Sequence, residues 1–383
     1  MVGDVYIIYN DNKVYVECVD SFNGTIQMSV GGEVIYSRTK LFESNNLYWF
    51  KPNRNLRLCD YIDVVIKNNN DVIYNNQFEM NIVIKTVVDS IGDLLNITPI
   101  IRELSKAHNK KIYLFTKIPD VFINNPYIID IYNYDHDHKN YLVYNISLSN
   151  INNYYKQRLT HLVDSSSIDI GFTLPSTMKS LEFYPNKRKD MNLPNKYICI
   201  APSITWETRT YPKNDYQELI NKINNIGYTV VIVGKTSESE DDQTLEYRKK
   251  SSFNNFDGDV IDMVDKTDMS DAWHIINESL LFITTDSGLL HLAGTTDVNI
   301  LMIATNINPY SRLPFRNGSQ DYKQKYCVGV CEKFCASNML YSVKVVGDIS
   351  YYPYSQNTCM ENYDEYKCFP TPDKVFEYVE YFL

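Results

Sequence analysis

The sequence predicts an α/β protein in which two series of strands alternate with helices and a short antiparallel β region comes first. Three observations support this prediction: short strand-like runs between Gly and Asn turns, a change at Met80 to nearly continuous apolar strands, and a second such series after residue 190. Strands that alternate with helices form β-α-β units, in which the strands are parallel. Strands that are apolar along their whole length are typical of a sheet covered on both faces.

The first 79 residues contain short runs of β-branched and aromatic residues. These runs are separated by turn-forming residues such as Asn10-Asp11-Asn12, Gly31-Gly32 and Asn68-Asn69-Asn70. The combination is typical of antiparallel strands joined by tight turns. We therefore predict a small antiparallel β domain over residues 1–79, with strands at 5–9, 14–18, 25–30, 33–36, 61–67 and 72–78.

Residues 80–185 predict a first α/β domain. The run at 81–88 is almost wholly apolar, and residues 94–108 carry apolar side chains at helical spacing before the next strand at 111–115. This order is a β-α-β unit, which implies a parallel sheet and a right-handed crossover. Further strands are predicted at 128–132 and 141–144.

A second α/β series is predicted over residues 186–383. It follows a polar stretch that contains Pro185 and several basic residues. Two such series joined by a polar linker indicate two facing Rossmann-like domains. The predicted elements are strands at 197–201, 228–233, 280–284 and 298–303, and helices at 216–226, 270–279 and 288–294.

Composition limits the classes of function. Hydrophobic residues make up 44% and charged residues 22% of the 383 residues, so the chain can bury a sizeable core. A net charge of −10 argues against a general binder of nucleic acid or of anionic membranes. The first residues lack the features of a signal peptide, and no apolar run has the length of a membrane-spanning helix. We therefore expect a cytoplasmic protein.

The first segment that could carry chemistry is Gly92-Asp93, between the strand at 81–88 and the following helix. Glycine lets the backbone approach a ligand, and amides at the start of a helix attract phosphate. An acid here also serves as an ordinary helix cap, and local sequence favours that interpretation of Asp93. No G-x-G-x-x-G or Walker A sequence occurs, so nicotinamide dehydrogenases and P-loop enzymes lose support.

The second segment covers residues 201–212 and contains Ser203, Thr205 and Arg209. It follows a predicted strand, where open α/β sheets bind ligands. Hydroxyl groups and an arginine fork suit a diphosphate. A polar loop with a surface arginine is an equally good local interpretation.

The third segment, at the end of the predicted strand 280–284, contains Thr285, Asp286, Ser287 and Gly288. Its hydroxyls and turn amides suit a phosphate at a helix N-terminus, and Asp286 could accept hydrogen bonds from sugar hydroxyls. An ordinary helix cap explains Asp286 at least as well locally. His291 lies on an apolar helical stretch, where a packing role is favoured.

The cysteines point to a metal. Five of the eight cysteines crowd the last part of the chain, and in a reducing compartment such a cluster favours a metal site over disulfides. Four thiolates suit structural zinc or iron, so we expect one cysteine of the five to be left out. Disulfides formed by oxidation are the alternative. The candidate ligands are Cys327, Cys331, Cys335, Cys359 and Cys368.

Taken in order, the three segments resemble the motifs of glycosyltransferase family 9, the family of ADP-heptose heptosyltransferases. Gly92-Asp93-Leu94-Leu95 with Thr98-Pro99 is similar to its "GDxLxxxP" opening. Arg209-Thr210-Tyr211-Pro212 resembles "K-x-W-P", with Arg209 at the position of the family's lysine, and residues 286–293 resemble "DSGxxHLA". The early β region and the late cysteines, which we place in a finger at about 327–368, resemble the autotransporter-modifying branch, which carries an iron-binding cysteine finger.

The resemblance implies a GT-B fold and a metal-independent, inverting transfer of a sugar from a nucleotide sugar, ADP-heptose first among them, to a hydroxyl of a protein or glycan. It implies that Asp93 is the general base and that no cofactor is needed for catalysis. Adenine would lie near Gly234 and Thr267. A donor other than ADP-heptose, and a non-catalytic carbohydrate-binding or assembly protein, remain alternatives, and homo-oligomerisation stays open. The implied donor-binding residues are Gly92, Ser203, Thr205, Arg209, Gly234, Thr267, Thr285, Asp286, Ser287 and Gly288.

Overall fold

The computed structural model describes residues 2–8, 13–53, 61–79, 81–86, 90–132, 141–146, 161–171, 173–202, 209–235, 255–305, 307–316, 327–329, 343–345, 351–353 and 369–383. The chain divides into two units. The first unit comprises Met1–Val87, Ile101–Lys117 and Pro126–Ile146. The second unit comprises Val88–Ile100, Ile118–Asn125 and Ser147–Leu383.

The described elements follow one another along the chain in this order. The strands are β1 (Val2–Ile8), β2 (Lys13–Cys18), β3 (Phe22–Val30), β4 (Glu33–Phe42), β5 (Asn46–Phe50), β6 (Tyr61–Asn68), β7 (Asp71–Glu79), β8 (Asn81–Thr86), β9 (Ile112–Phe115), β10 (Ile128–Tyr132), β11 (Tyr141–Ile146), β12 (Tyr197–Ala201), β13 (Thr229–Ile232), β14 (Val260–Asp262), β15 (Leu281–Thr284), β16 (Asn299–Ile303), β17 (Cys327–Val328), β18 (Val343–Val345) and β19 (Tyr351–Pro353). The helices are α1 (Ile91–Leu95), α2 (Thr98–His108), α3 (Leu162–Ile170), α4 (Lys213–Asn225), α5 (Met269–Glu278), α6 (Gly288–Ala293) and α7 (Pro372–Phe382). Short 3-10 turns occur at Pro119–Phe122, Ser176–Met178 and Pro309–Ser311.

The first unit contains a seven-stranded sheet in the order β10-β9-β8-β11-β1-β2-β5. The strands from β10 to β1 are parallel, and β2 and β5 extend the sheet in antiparallel orientation. Val14, Val16 and Cys18 alternate along β2 and are fully buried, as expected for a strand with one covered face. Strand pairing therefore crosses the domain boundary that we expected at residue 80.

A second sheet of the first unit is wholly antiparallel, in the order β4-β3-β6-β7. Its β3 and β6 bury every second side chain, including Ile26, Met28 and Ile62. Phe42 on β4 is fully buried, and its ring lies 4.7 Å from that of Phe22 and 6.0 Å from that of Phe50 on β5. Aromatic packing thus joins this sheet to the end of the seven-stranded one.

The second unit contains a six-stranded parallel sheet in the order β14-β13-β12-β15-β16-β17. Every residue of its central strands β12 and β15 is buried, in agreement with their continuous apolar sequence. The predicted α/β class, with an antiparallel β region ahead of it, is confirmed. A small antiparallel pair, β18 and β19, lies later in the chain.

Helices α4 and α7 cover one face of this sheet. Tyr216, Leu219, Ile220 and Ile223 form the buried stripe of α4, and Val375 and Val379 that of α7, in a common core. Lys222 Nζ lies 2.6 Å from a carboxylate oxygen of Asp373, which joins the two helices at the surface. None of the described helices combines the length and the apolar composition needed to cross a membrane.

The single helix expected at 94–108 is two helices, α1 and α2. The turn between them includes Asn96 and Ile97, and Thr98 Oγ1 donates to the carbonyl of Leu95 (2.8 Å). Pro99 has no amide hydrogen, so it is tolerated in the first turn of a helix and disfavoured in a helix interior. The break after α1 follows from this proline.

Candidate active site

The parallel sheet of the second unit brings two of the predicted segments together. From β12 the chain continues outward to β13, whereas from β15 it continues to β16 on the other side. Open α/β sheets bind ligands at such a reversal, outside the carboxyl ends of the strands. Arg209 follows β12 and Asp286 follows β15, and Thr284 Oγ1 donates to the carbonyl of Ala201 (3.0 Å), which ties the two strand ends.

Three charged residues meet there in what we name the Asp286 cluster: Arg209, Asp286 and Arg312. Arg209 Nη2 lies 2.8 Å from Asp286 Oδ2 and also donates to the Asp286 carbonyl (2.6 Å). Arg312 Nε donates to the same Oδ2 from 3.2 Å. The Asp286 side chain is 4% exposed, that of Arg209 13% and that of Arg312 24%.

The Asp286 cluster carries an excess of one positive charge in a mostly buried place. Burial alone would raise the pKa of Asp286, but the charges of Arg209 and Arg312 outweigh it and hold this pKa below its usual range. Asp286 is therefore ionised at neutral pH. Two guanidinium groups against one carboxylate leave the cluster suited to an anionic ligand.

Serines, and not the predicted acids, cap the two short helices of the site. Ser90 Oγ accepts the amide hydrogen of Asp93 at 3.3 Å, and Ser287 Oγ accepts that of Leu290 at 3.3 Å. Both serines have extended backbones at the N-cap position of α1 and α6. The interpretation of Asp93 and Asp286 as N-caps is wrong, because serine fills that role in each turn.

Asp93 is half-buried in the first turn of α1. Burial raises the pKa of this carboxyl, whereas the charge of Arg312, a hydrogen bond from Ser90 and the charge of Arg209 lower it, and the net shift is upward. A general base works best when its pKa lies near the operating pH, so an upward shift suits that role.

Glycines allow α1 and α6 to pack closely. A Cβ added at Gly92 would lie 2.6 Å from His291 Cδ2, and one at Gly288 would lie 3.2 Å from the Cβ of Ile91. Real Cβ atoms essentially never approach a neighbour as closely as 2.6 Å. The structure thus gives both glycines a packing role. Their predicted approach to a donor stays a prediction.

Asn96 connects the two helices through hydrogen bonds. Its Nδ2 donates to the carbonyl of Gly92 (2.7 Å) and to Nδ1 of His291 (3.0 Å). Because Nδ1 accepts, the proton of the neutral ring lies on Nε2. Burial lowers the pKa of His291 to about 4, so the ring is neutral at pH 7 and has the expected packing role.

A second buried histidine, His161, holds the loop that carries Arg312. Its Nε2 donates to the carbonyl of Leu313 (2.9 Å), and its Nδ1 accepts the amide hydrogen of Val163 (3.2 Å) at the start of α3. The ring also packs edge-on against Phe315, with centroids 4.7 Å apart. Burial lowers its pKa to about 3, so both nitrogens keep the roles of the neutral ring.

The residues predicted near adenine come together at the ends of β13 and β14. The amide of Asp265 donates to the carbonyl of Gly234 (3.0 Å), which joins the loops that follow these strands. Thr267 lies in the same loop and is half-buried. In the turn that follows β15, Thr285 Oγ1 is buried and has no hydrogen-bond partner among the described residues.

Several predicted residues cannot be compared with the structure. Ser203, Thr205, Cys331, Cys335, Cys359 and Cys368 lie outside the described residues. Cys327 is described: it belongs to β17, opposite Met302 of β16, and its thiol is free. Within the part of the chain that the structure describes, no group of three or more His, Cys, Asp or Glu side chains could hold a metal ion.

Sequence reasoning missed Arg312, Asn96 and His161. Arg312 lies 26 residues beyond Asp286, after a strand whose carboxyl end faces the same edge as that of β15. An arginine just beyond the end of a parallel strand was the signal that could have identified it. Asn96 and His161 gave no comparable signal, because their roles depend on contacts distant in sequence.

The middle of the chain matches a known protein family. Residues 134–317 match glycosyltransferase family 9 (heptosyltransferase). This range contains Arg209, Asp286 and Arg312. No curated protein matches the chain by sequence.

Solved structures of glycosyltransferases have a similar fold. The iron-containing dodecameric glycosyltransferase TibC from enterotoxigenic E. coli H10407 is 13% identical, with a TM-score of 0.59 over 100% of this chain and 95% of that chain. The dodecameric iron-containing heptosyltransferase TibC in complex with ADP-D-β-D-heptose is 12% identical, with a TM-score of 0.60 over the same shares of 100% and 95%. A family 9 glycosyltransferase from Veillonella parvula DSM 2008 is 14% identical, with a TM-score of 0.53 over 79% of this chain and 97% of that chain.

The similarity of fold agrees with the family match. We conclude that the chain carries a glycosyltransferase family 9 (heptosyltransferase) domain and is a glycosyltransferase.

Proposed function

We propose that this enzyme transfers heptose from ADP-heptose to a hydroxyl group of a protein or glycan, with inversion at the anomeric carbon and without a catalytic metal ion. The observation that carries the proposal is the Asp286 cluster, which presents two guanidinium groups beyond the carboxyl ends of β12 and β16. The TibC complex with ADP-D-β-D-heptose supports the choice of donor, because that protein shares the fold.

In the proposed reaction, Asp93 removes the proton of the acceptor hydroxyl as its oxygen attacks the anomeric carbon. The bond from that carbon to the diphosphate oxygen breaks, and ADP leaves with the bonding electrons. The transition state resembles an oxocarbenium ion, and negative charge develops on the diphosphate. The proton stays on Asp93 until solvent takes it, so atoms and charges balance. The raised pKa of Asp93 favours its acceptance of the proton.

The leaving diphosphate needs positive charge and hydrogen-bond donors, which Arg209 and the amides of the Asp286-Ser287-Gly288 turn are suited to supply. Thr285 Oγ1 is a further candidate, because a buried hydroxyl without a partner among the described residues is costly unless a ligand satisfies it. Gly234 and Thr267 are proposed to line the adenosine end. Ser203 and Thr205 complete the proposed set of hydroxyl groups.

The late cysteines are proposed to hold one structural iron or zinc ion, because four thiolates form a suitable shell for either metal. TibC, which shares the fold, is iron-containing and dodecameric. We also propose that this chain forms a homo-oligomer and acts in the cytoplasm. Light scattering of the purified protein would measure the size of this oligomer.

The test of the proposed function is a donor screen. Purified enzyme is heated with ADP-heptose, with UDP-sugars and GDP-sugars, and with ADP alone, since a ligand that binds the native state raises the unfolding temperature. We expect ADP-heptose and ADP to stabilise the enzyme selectively and ADP-heptose to support transfer. Stabilisation by UDP-sugars or GDP-sugars alone would assign another donor. Binding without transfer to any protein or glycan acceptor would favour a carbohydrate-binding role.

A further inference from the structure

Arg312 belongs to the Asp286 cluster but is not among the proposed donor-binding residues. It comes directly after the 3-10 turn Pro309–Ser311, beyond the carboxyl end of β16, and its amide donates to the carbonyl of Pro309 (3.0 Å). The Asn308 side chain accepts the amide hydrogen of Tyr310 (2.9 Å), which fixes the start of this turn. The turn places Arg312 next to the strand that carries Asp286.

Only one nitrogen of the Arg312 guanidinium makes a hydrogen bond to the residues that the structure describes. Its Nε donates to Asp286 Oδ2, and neither Nη group has a hydrogen-bond partner among the residues that the structure describes. By contrast, Nη2 of Arg209 contacts both the carboxylate and the carbonyl of Asp286. The Arg312 side chain is 24% exposed, so part of it is accessible to a ligand. An arginine fork of this kind matches the oxygens of a phosphate.

The loop on both sides of Arg312 is firmly held. His161 donates to the carbonyl of Leu313 (2.9 Å), and Phe315 packs against the ring of His161. Pro314 lies against Gly294, where an added Cβ would be 2.3 Å from the Cβ of the proline. Arg316 donates to the carbonyl of Ala293 (2.6 Å) at the end of α6. Donors held in place before binding lose little freedom on binding, which favours affinity.

From this geometry we infer that Arg312 is a second cation of the donor site and binds the diphosphate of the nucleotide sugar together with Arg209. The inference rests on the proposed function. Asp286 then has a separate role, because its carboxylate holds both guanidinium groups side by side when no nucleotide is bound. A nucleotide diphosphate would take the open Nη groups of Arg312 without breaking the contact through Nε.

The test compares Arg312→Gln and Arg312→Lys with the parent enzyme by calorimetry, using ADP, AMP and adenosine as ligands. Losing a charge-assisted contact to phosphate should weaken ADP binding by about tenfold to a hundredfold in Arg312→Gln. AMP should lose less, and adenosine should bind as in the parent. Arg312→Lys keeps the charge without the fork, so its ADP affinity should be intermediate. Thermal unfolding of both variants shows that they are folded.

Arg188→Gln is the matched control. Arg188 pairs with Glu278 at the end of α5. This helix leads into β15, so the pair lies at the amino ends of the strands, away from the proposed donor site. ADP affinity should therefore not change in this variant. Parental ADP affinity in Arg312→Gln, or equal losses for ADP and adenosine, would overturn the role of Arg312 and leave the proposed function intact. A parent enzyme that binds none of the three ligands would instead reject the proposed donor.

Discussion

The imidazole ring of His291 lies directly over the α carbon of Gly92, so that a Cβ at residue 92 would be 2.6 Å from Cδ2 of the ring. The short helix that carries Asp93 is thereby held against the short helix that follows Asp286. Asn96 strengthens the contact, because its Nδ2 donates both to the Gly92 carbonyl and to His291 Nδ1. Close packing of two helices thus determines where the proposed base lies.

The first prediction concerns this contact. Gly92→Ala should destabilise the protein by about 1–3 kcal/mol, the usual cost of overpacking a buried site. In a His291→Ala background the same change should cost less, because the ring is absent. Denaturant unfolding of the parent, both single variants and the double variant gives the coupling free energy. Equal costs in the two backgrounds would show that His291 is not what excludes a side chain at residue 92.

The second prediction concerns the base. Asp93→Asn should reduce sugar transfer by at least ~100-fold, the scale of a general acid-base group. ADP affinity should stay close to that of the parent, because the diphosphate is assigned to other residues. Transfer assays and calorimetry on the same preparation separate the two effects. A variant that transfers sugar at the parental rate would leave Asp93 without a catalytic role.

The donor site gives the third prediction. Arg209→Ala should weaken ADP binding, because it removes one guanidinium from the diphosphate site and leaves buried Asp286 with a single partner. Asp286→Ala should also weaken it, since two arginines lose the carboxylate that holds them together. Calorimetry with ADP measures both effects. Unchanged affinity in Arg209→Ala would reject its assignment to the diphosphate.

The pH dependence of transfer gives the fourth prediction. A base acts when deprotonated, so the rate should fall as the pH drops through the pKa of Asp93, and this fall should begin above the usual range of aspartate. The charge of Arg312 lowers that pKa, so Arg312→Gln should move the acidic limb to higher pH. Profiles of kcat against pH for the parent, Arg312→Gln and Arg188→Gln test this. Coincident profiles would mean that Arg312 does not influence the base.

Stability should also depend on pH, through His161 and His291. The pKa of His161 is lowered to about 3 and that of His291 to about 4, from 6.5. Below pH 6.5 the unfolded chain binds protons that the native state does not, so the free energy of unfolding falls on acidification. The loss is about 1.5 kcal/mol per histidine between pH 6.5 and pH 5. His161→Gln keeps a donor for the Leu313 carbonyl and should make this fall shallower, as measured by denaturant unfolding. The same slope in variant and parent would contradict the role of His161.

The alternation of buried strands and helices was enough to predict the α/β class and four of the six strands in the parallel sheet of the second unit. β12 was predicted with its observed bounds, because five apolar residues in a row are typical of a strand that is buried on both faces. The pairing of β1 with β11 was beyond prediction, since the two strands lie more than a hundred residues apart and local sequence does not choose a partner. The break before Pro99 was missed, because helical spacing continues on both sides of it.

The candidate site was predicted in part. Motif order identified Arg209 and Asp286, and the structure brings their side chains together. The capping interpretation of Asp93 failed because Ser90, three residues earlier, makes the capping hydrogen bond to the backbone. Arg312 was missed, because its loop is positioned by His161 and Arg316 rather than by any nearby pattern.

Strand β1 links the N-terminal β region to the parallel strands β8 to β11. Strand β1 pairs with β11 at Ile8 and Tyr141 and with β2 along its other side, so a chain shortened to begin at residue 80 would leave β11 as the edge strand of its sheet. Such an edge is a template for pairing with other chains. Strands from both sides of residue 80 thus share one sheet. Strands β1, β2 and β5 extend the parallel part of this sheet, and we expect a chain without them to aggregate rather than to fold as a smaller enzyme.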